Sequence, residues 1–403
     1  MKLAELPPLS LYVHIPWCIR KCPYCDFNSH EARGDLPEGE YVDALVADLE
    51  ASLPGVWGRR LHTLFIGGGT PSLFSPGSIE RLVTAVRTRI AVDPDAEITM
   101  EANPGTFEIE RFRGFREAGV NRLSIGVQSF DDAKLAAIGR VHGSSEARRA
   151  LEAALAIYPT VNADLMYALP GQRLEEAVRD VETAIAAGVP HVSAYHLTLE
   201  PNTQFARFPP ELPGEDESAD MQEAIETTLA AAGFDHYETS AFARPGHRAR
   251  HNLNYWTFGD YLGIGAGAHG KISFSDRIVR TERERKPRTY LSAALAGGAT
   301  QVTREVGDDE VAFEFMLNAL RLVEGFPVPL FTERTGLPIT AVQTQLAESE
   351  AAGLLRRDHA RIRPTRKGER FLNDLIGKFL PKAKPRRATI PISTSSPGTS
   401  RPS

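Results

Sequence analysis

The sequence predicts an α/β fold followed by a small helical domain, and three observations carry that expectation. First, six short β-branched or aromatic runs recur: LYVHI (11–15), TLFIG (63–67), EITMEA (97–102), RLSIGV (122–127), NADLMY (162–167) and VSAYHLT (192–198). Second, the segments between them carry apolar residues at helical spacing, as in YVDALVADLEASL (41–53), SIERLVTAVRTRI (78–90) and LEEAVRDVETAIAAG (174–188). Strand and crossover helix in alternation make a parallel sheet, wound open or curled into a barrel, and either form places its chemistry at the carboxyl ends of the strands. Third, 309–378 reads as DEVAFEFMLNALRLVEG, a helix after FTERTGLP, a third leading to Gly353, and a two-strand wing in LLRRDHARIRPTRKGERFLNDLI. That is a winged-helix pattern, which serves some proteins on DNA and others as a packing module.

These readings divide the chain into 1–240, the βα part with an N-terminal cysteine loop; 241–305, an irregular extension rich in Gly and aromatics, read as sheet edge and loops; 306–380, the winged-helix-like domain; and 381–403. The last stretch has five Pro, five Ser and no acidic residue, so it reads as a disordered basic tail.

Composition excludes several classes of function. The chain has 403 residues, 42% hydrophobic and 24% charged, with 46 Lys plus Arg against 52 Asp plus Glu. A net charge of -6 exerts no global pull on nucleic acid or anionic lipid, so no nucleic-acid partner is expected. No apolar run is long enough for a membrane span, and MKLAELPPLS has neither a basic nor an apolar signal region. A cytoplasmic protein is expected, with peripheral membrane association left open.

The cysteines are the sharpest signal. All three, Cys18, Cys22 and Cys25, fall in HIPWCIRKCPYCDFNSH directly after the first strand run. An odd, clustered count is no disulfide framework, and a reducing compartment leaves such thiols free for metal. CxxxCxxC on a loop suits three irons of a four-iron cluster and leaves the fourth iron open. A zinc knuckle is the competing reading and needs a fourth ligand, for which His14 and His30 are the candidates; His14, on the strand, reads more simply as a polar core residue.

Other polar motifs end successive strand runs. GGGTP (67–71) lets backbone approach a ligand, although a tight strand-to-helix turn explains it as well. Glu101 in MEANP offers an acceptor for ribose hydroxyls, Gln128 ends SIGVQ, Arg140 in GRVH offers a fork of donors for a carboxylate, and Asp164 lies in NADLMY.

Together YVHIPWCIRKCPYCDFNSH, GGGTPSLF, EANPGT, SIGVQSF, DLMYALPGQ and HNLNYW resemble the oxygen-independent coproporphyrinogen III oxidase family of radical SAM proteins, over about residues 9 to 380. The resemblance implies an incomplete barrel of about six βα units, the (β/α)6 form, and a small C-terminal helical domain. It also implies a 4Fe-4S cluster on the three cysteines, whose open iron is chelated by S-adenosyl-L-methionine (SAM). By the same resemblance Tyr12, Gly68, Glu101, Gln128, Arg140 and Asp164 fall on SAM-contacting positions. Tyr24, Gly69 and Thr70 fall where the oxidases hold a second SAM.

Two departures separate this chain from the oxidases. The oxidases carry a further cysteine where this chain has Phe27, and they lack the HNxxYW motif present here as His251, Asn252, Tyr255 and Trp256. Both resemble the haem-chaperone branch of the family, whose members bind haem and pass it to acceptor proteins. The motif offers an imidazole for haem iron and two aromatics to wall a flat macrocycle, in an open cleft at the barrel mouth or flank. The alternative is a radical decarboxylase acting on coproporphyrinogen III propionates. Phe27, which has no thiol, weighs against it, and no catalytic residue is assigned.

Overall fold

The computed structural model describes residues 2–106 and 109–381. All but the first residue of the expected tail therefore lies outside the described residues. Six parallel strands appear where the six runs were read: β1 (Leu9–Ile15), β2 (Arg60–Gly68), β3 (Ala91–Ala102), β4 (Arg122–Gln128), β5 (Thr160–Tyr167) and β6 (His191–His196). Their residues are buried on both faces because helices cover one side and the barrel interior the other, which is why the runs read as continuous apolar stretches. Helices Glu38–Ser52, Pro76–Arg89, Ser144–Ile157 and Leu174–Ala187 close the outside with Leu45, Leu82, Leu151 and Val181 among their buried residues.

The sheet does not stop at six. β7 (Asp235–Glu238) and β8 (Ala241–Ala243) add antiparallel strands beyond β6. On the other flank, β9 (Asp260–Ile264) pairs in parallel with β1, and β10 (His269–Ser273), β11 (Ile278–Arg283) and β12 (Thr300–Glu305) follow in antiparallel order. The order β12-β11-β10-β9-β1-β2-β3-β4-β5-β6-β8-β7 describes a curled, unclosed sheet.

The extension expected as sheet edge and loops does form the sheet edge, β9 to β12, but with two helices, Arg250–Trp256 and Pro287–Leu295, where loops were expected. Its glycines mislead because they report close packing rather than looseness. A Cβ on Gly263 would lie 1.9 Å from the carbonyl oxygen of His269, and Gly265 has φ +105° against the backbone of His14.

The C-terminal domain has helices Asp308–Ala319, Val328–Thr335 and Gln343–Ala351 and a small sheet of β13 (Phe326–Pro327), β14 (Leu355–Arg357) and β15 (Arg361–Pro364). Phe315 meets Phe326 and Phe331 edge-on at 5.0 and 5.2 Å in a second apolar core, which Phe258 and Ile278 of the extension share. The domain is tied to the sheet by Arg280–Glu314 at 2.6 Å and by Arg321 stacked over Trp256 at 4.4 Å.

Candidate cofactor site

The parallel strands end at one mouth, and a cavity of about 360 Å³ opens there. Cys18, Cys22 and Cys25 all line it, free and half-buried. Burial pushes the thiols of Cys18 and Cys25 up, so they stay protonated until a metal takes them. No group of three His, Cys, Asp or Glu side chains among the described residues is already gathered at metal-binding distance.

His14 and His30 do not complete a zinc set. His14 Nε2 donates to the carbonyl of Asn28 at 2.9 Å and Nδ1 accepts from the Tyr12 hydroxyl at 3.0 Å, leaving neither nitrogen free, and burial pushes its pKa down to about 4. His30 does not line the cavity. Three thiols facing a shared cavity, with no fourth Cys in the chain, fit a cluster that keeps one iron open.

The opposite wall holds most of the residues expected to meet SAM. Glu101, at the end of β3, accepts from the Gly68 amide at 3.0 Å. Its burial, and then the nearby charge of Asp164, push its pKa up to about 8. Asp164 on β5 accepts from Ser124 Oγ at 2.9 Å and Asn162 Nδ2 at 2.8 Å, and burial raises its pKa as well.

Arg140 donates to the carbonyl of Gly126 at 2.7 Å and reaches Cys22 Sγ at 3.6 Å. Its Nε is buried without a partner among the described residues, an orphaned donor that a ligand carboxylate would satisfy. Gln128 takes φ +67° at a bulge that ends β4 and turns its side chain toward Gly126. Tyr24, Gly68, Gly69 and Thr70 line the same cavity.

The glycine run packs closely, as the tight-turn reading expects. A Cβ on Gly68 would strike the His14 ring at 2.6 Å, and one on Gly69 the Trp17 carbonyl at 2.5 Å. The missing side chains let the turn pack onto the cysteine loop, and the cavity face of the backbone stays open as a result.

Tyr12 is the SAM-assigned residue that does not line this cavity. It lines a second cavity of about 370 Å³, where the first shares Asp26, Phe27, Gly68 and Glu101 with it.

HNLNYW is not in an open cleft, which corrects the sequence expectation. The Arg250–Trp256 helix plugs the foot of the barrel, where Glu97 accepts from the amides of Arg250 and His251 at 3.0 and 2.9 Å. His251 is 2% exposed, stacked on Phe65 at 5.0 Å and 5.1 Å from the Tyr255 ring. The Thr63 hydroxyl donates to Ser10, so it accepts from His251 Nδ1 at 2.8 Å and leaves Nε2 bare and unpartnered. Burial pushes this imidazole down to about 3, so it is neutral. Asn252 is half-buried, Trp256 faces Arg321, and only Tyr255 reaches a cavity, the second one.

Several residues escaped the sequence reading. Ser124 and Asn162 hold Asp164, and Tyr195 closes the far wall of the first cavity beside His196, a histidine that the sequence offers only as a substitute haem ligand for His251. Strand alternation was the available signal, since Ser124, Gly126 and Gln128 share a face, as do Asn162 and Asp164.

The radical SAM superfamily model matches residues 12–184, and the HemN C-terminal domain model matches 307–371. The Escherichia coli protein named heme chaperone HemW is 48% identical over 94% of this chain and 100% of its own length. The Mycobacterium tuberculosis H37Rv protein of that name is 37% identical over 94% of this chain and 96% of its own. The mouse mitochondrial radical S-adenosyl methionine domain-containing protein 1 is 35% identical over 95% and 90%. Coproporphyrinogen III oxidase (HemN) from E. coli shares the fold with a TM-score of 0.79 at 24% identity, over 93% of this chain and 90% of that one. Radical SAM membership implies a 4Fe-4S cluster and SAM, and no helix among the described residues is long and apolar enough to cross a membrane. With near-complete coverage at such identity, the chain belongs to the HemW family of the radical SAM superfamily.

Proposed function

We propose that this protein is a cytoplasmic haem chaperone that binds haem, passes it to acceptor proteins, and carries a SAM-bound 4Fe-4S cluster. One observation carries the reading: the cavity that gathers the three cysteines and the SAM-assigned residues adjoins, across Gly68 and Glu101, a second cavity walled by Tyr255 of HNLNYW. Cys18, Cys22 and Cys25 would hold the cluster, which supplies an open iron for the amino and carboxylate groups of SAM. Arg140 would bind that carboxylate through its orphaned Nε, and Glu101, Asp164 and Gln128 would take the ribose and adenine groups. Tyr24, Gly69 and Thr70 lie on the cysteine side of the same cavity, and Tyr12 stands behind Gly68 by way of His14.

The HNLNYW helix serves the haem end. His251 and Asn254 set the helix on the barrel foot, Trp256 ties it to the C-terminal domain, and Tyr255 is the motif's face toward ligand. The chain works as a barrel unit to about 240, the extension 241–305 that carries the haem motif, and the domain 306–380.

The test is haemin titration of anaerobically reconstituted protein, followed by transfer to an apo-acceptor. Stoichiometric binding with loss of haem to the acceptor is expected. Protein that holds its cluster and binds no haem, or that forms protoporphyrinogen IX catalytically, contradicts the reading.

A further inference from the structure

The HNLNYW histidine is the obvious iron ligand on paper, yet its Nε2 lies behind Phe65 and Tyr255 at the barrel foot. A macrocycle of haem size reaches it only by displacing that ring layer. The second cavity, by contrast, is open, and its wall has three features that a flat, dianionic iron macrocycle needs.

His269, at the start of β10, presents an exposed imidazole to it, and no hydrogen bond engages that ring among the described residues. Arg285 stands exposed at its edge. Its carbonyl is fixed by Asn28 Nδ2 at 2.8 Å, while its guanidinium has no ion pair or hydrogen bond among the described residues. Tyr255 and Phe27 supply aromatic surface: the Tyr255 ring lies tilted against Tyr261 at 4.3 Å, with no hydrogen bond to its hydroxyl among the described residues, and Phe27 is 58% exposed.

We propose that haem is held in this second cavity, with its iron on His269 and a propionate on Arg285. This rests on the haem-carrier reading above and adds the site. Tyr255 is then the positioning residue through which the HNLNYW helix shapes the cavity wall. Phe27 and Glu101 belong to both cavities, so the macrocycle edge would lie against the SAM-side cavity. An open-sided cavity of about 370 Å³ covers part of the macrocycle and leaves the rest accessible to an acceptor, as transfer requires.

The test is haemin titration of full-length, cluster-loaded protein, read by the Soret band, for the wild type and for His269→Ala, Arg285→Ala, His251→Ala and His196→Ala. His269 and Arg285 are exposed, so cluster absorbance and melting temperature should match the wild type. His269→Ala should weaken haemin binding roughly tenfold or more and shift the Soret band, and added imidazole should restore the wild-type spectrum. Arg285→Ala should weaken haemin but not its propionate diester. His251→Ala should keep the wild-type Soret position even where affinity falls. The proposal is overturned if His269→Ala binds with unchanged spectrum and affinity, or if the axial-ligand signature is lost in His251→Ala or His196→Ala instead. A wild type that binds no haem fails the carrier reading itself, a separate outcome.

Discussion

The two ends of the barrel are built from similar residues and do opposite work. At the mouth, Glu101, Asp164 and Arg140 stand with raised carboxyl pKa values or an orphaned donor, beside three free thiols. At the foot, Asp260 is equally buried but saturated. It pairs with Lys271 at 2.9 Å and Arg59 at 2.7 Å and accepts from the Ser273 amide at 3.0 Å, so its carboxyl is held below the usual range despite its burial. Asn254 there donates to Ser10 Oγ and to the Asp260 carbonyl at 2.8 and 2.9 Å. The partners of Asp260 bind the foot together, whereas the orphaned Nε of Arg140 opens on a cavity and waits for a ligand.

The largest effect should come from the mouth. Replacing any one of Cys18, Cys22 or Cys25 by Ala should abolish cluster loading, seen as loss of bound iron and sulfide, with far-UV circular dichroism unchanged. Next comes the foot. Asp260→Ala strands Lys271 and should cost about 3 to 5 kcal/mol in denaturant unfolding of the metal-free protein. A change below about 1 kcal/mol would show that the foot is not held by this network.

Arg140→Ala should weaken SAM roughly tenfold to a hundredfold, a loss of about 1.5 to 3 kcal/mol in binding. Melting temperature of the metal-free protein should hardly move. Equal losses of stability at both ends would erase the distinction drawn here.

The raised pKa of Glu101 makes a pH prediction. The folded protein keeps a proton to about pH 8 that an unfolded chain releases near about 4.3. Stability therefore falls as pH rises through that interval, and Glu101→Gln removes the loss. The variant should melt progressively higher than the wild type between about pH 5 and pH 9 in the absence of SAM. A constant difference across that range would contradict the buried, protonated carboxyl. The smallest effect is at the domain seam. Trp256→Leu removes the stack under Arg321 and should cost about 0.5 to 2 kcal/mol, seen as a lower unfolding midpoint.

How much of this was legible in the sequence follows the same division. The mouth was readable because each motif ends a strand, and strand runs with period-two faces carry Glu101, Gln128 and Asp164 to one opening. Tyr12 shows the limit, since it lines the second cavity and not the first, with its hydroxyl taken by His14. The foot was only partly legible, because HNLNYW and its glycine-rich sequel read as sheet edge and loops and the helix Arg250–Trp256 gave no local sign. Their order comes from long-range partners, Glu97, Thr63 and Ser10, that no local pattern displays.

The central claim is that the mouth offers a cluster three protein ligands and leaves the fourth iron to SAM. Mössbauer spectroscopy of protein reconstituted with isotopically enriched iron, with and without SAM, tests it most directly. One iron of the four-iron cluster should change its signal on SAM addition in the wild type, and the change should need far more SAM in Arg140→Ala. Stoichiometric zinc in place of iron, or a cluster whose irons all ignore SAM, would contradict the account.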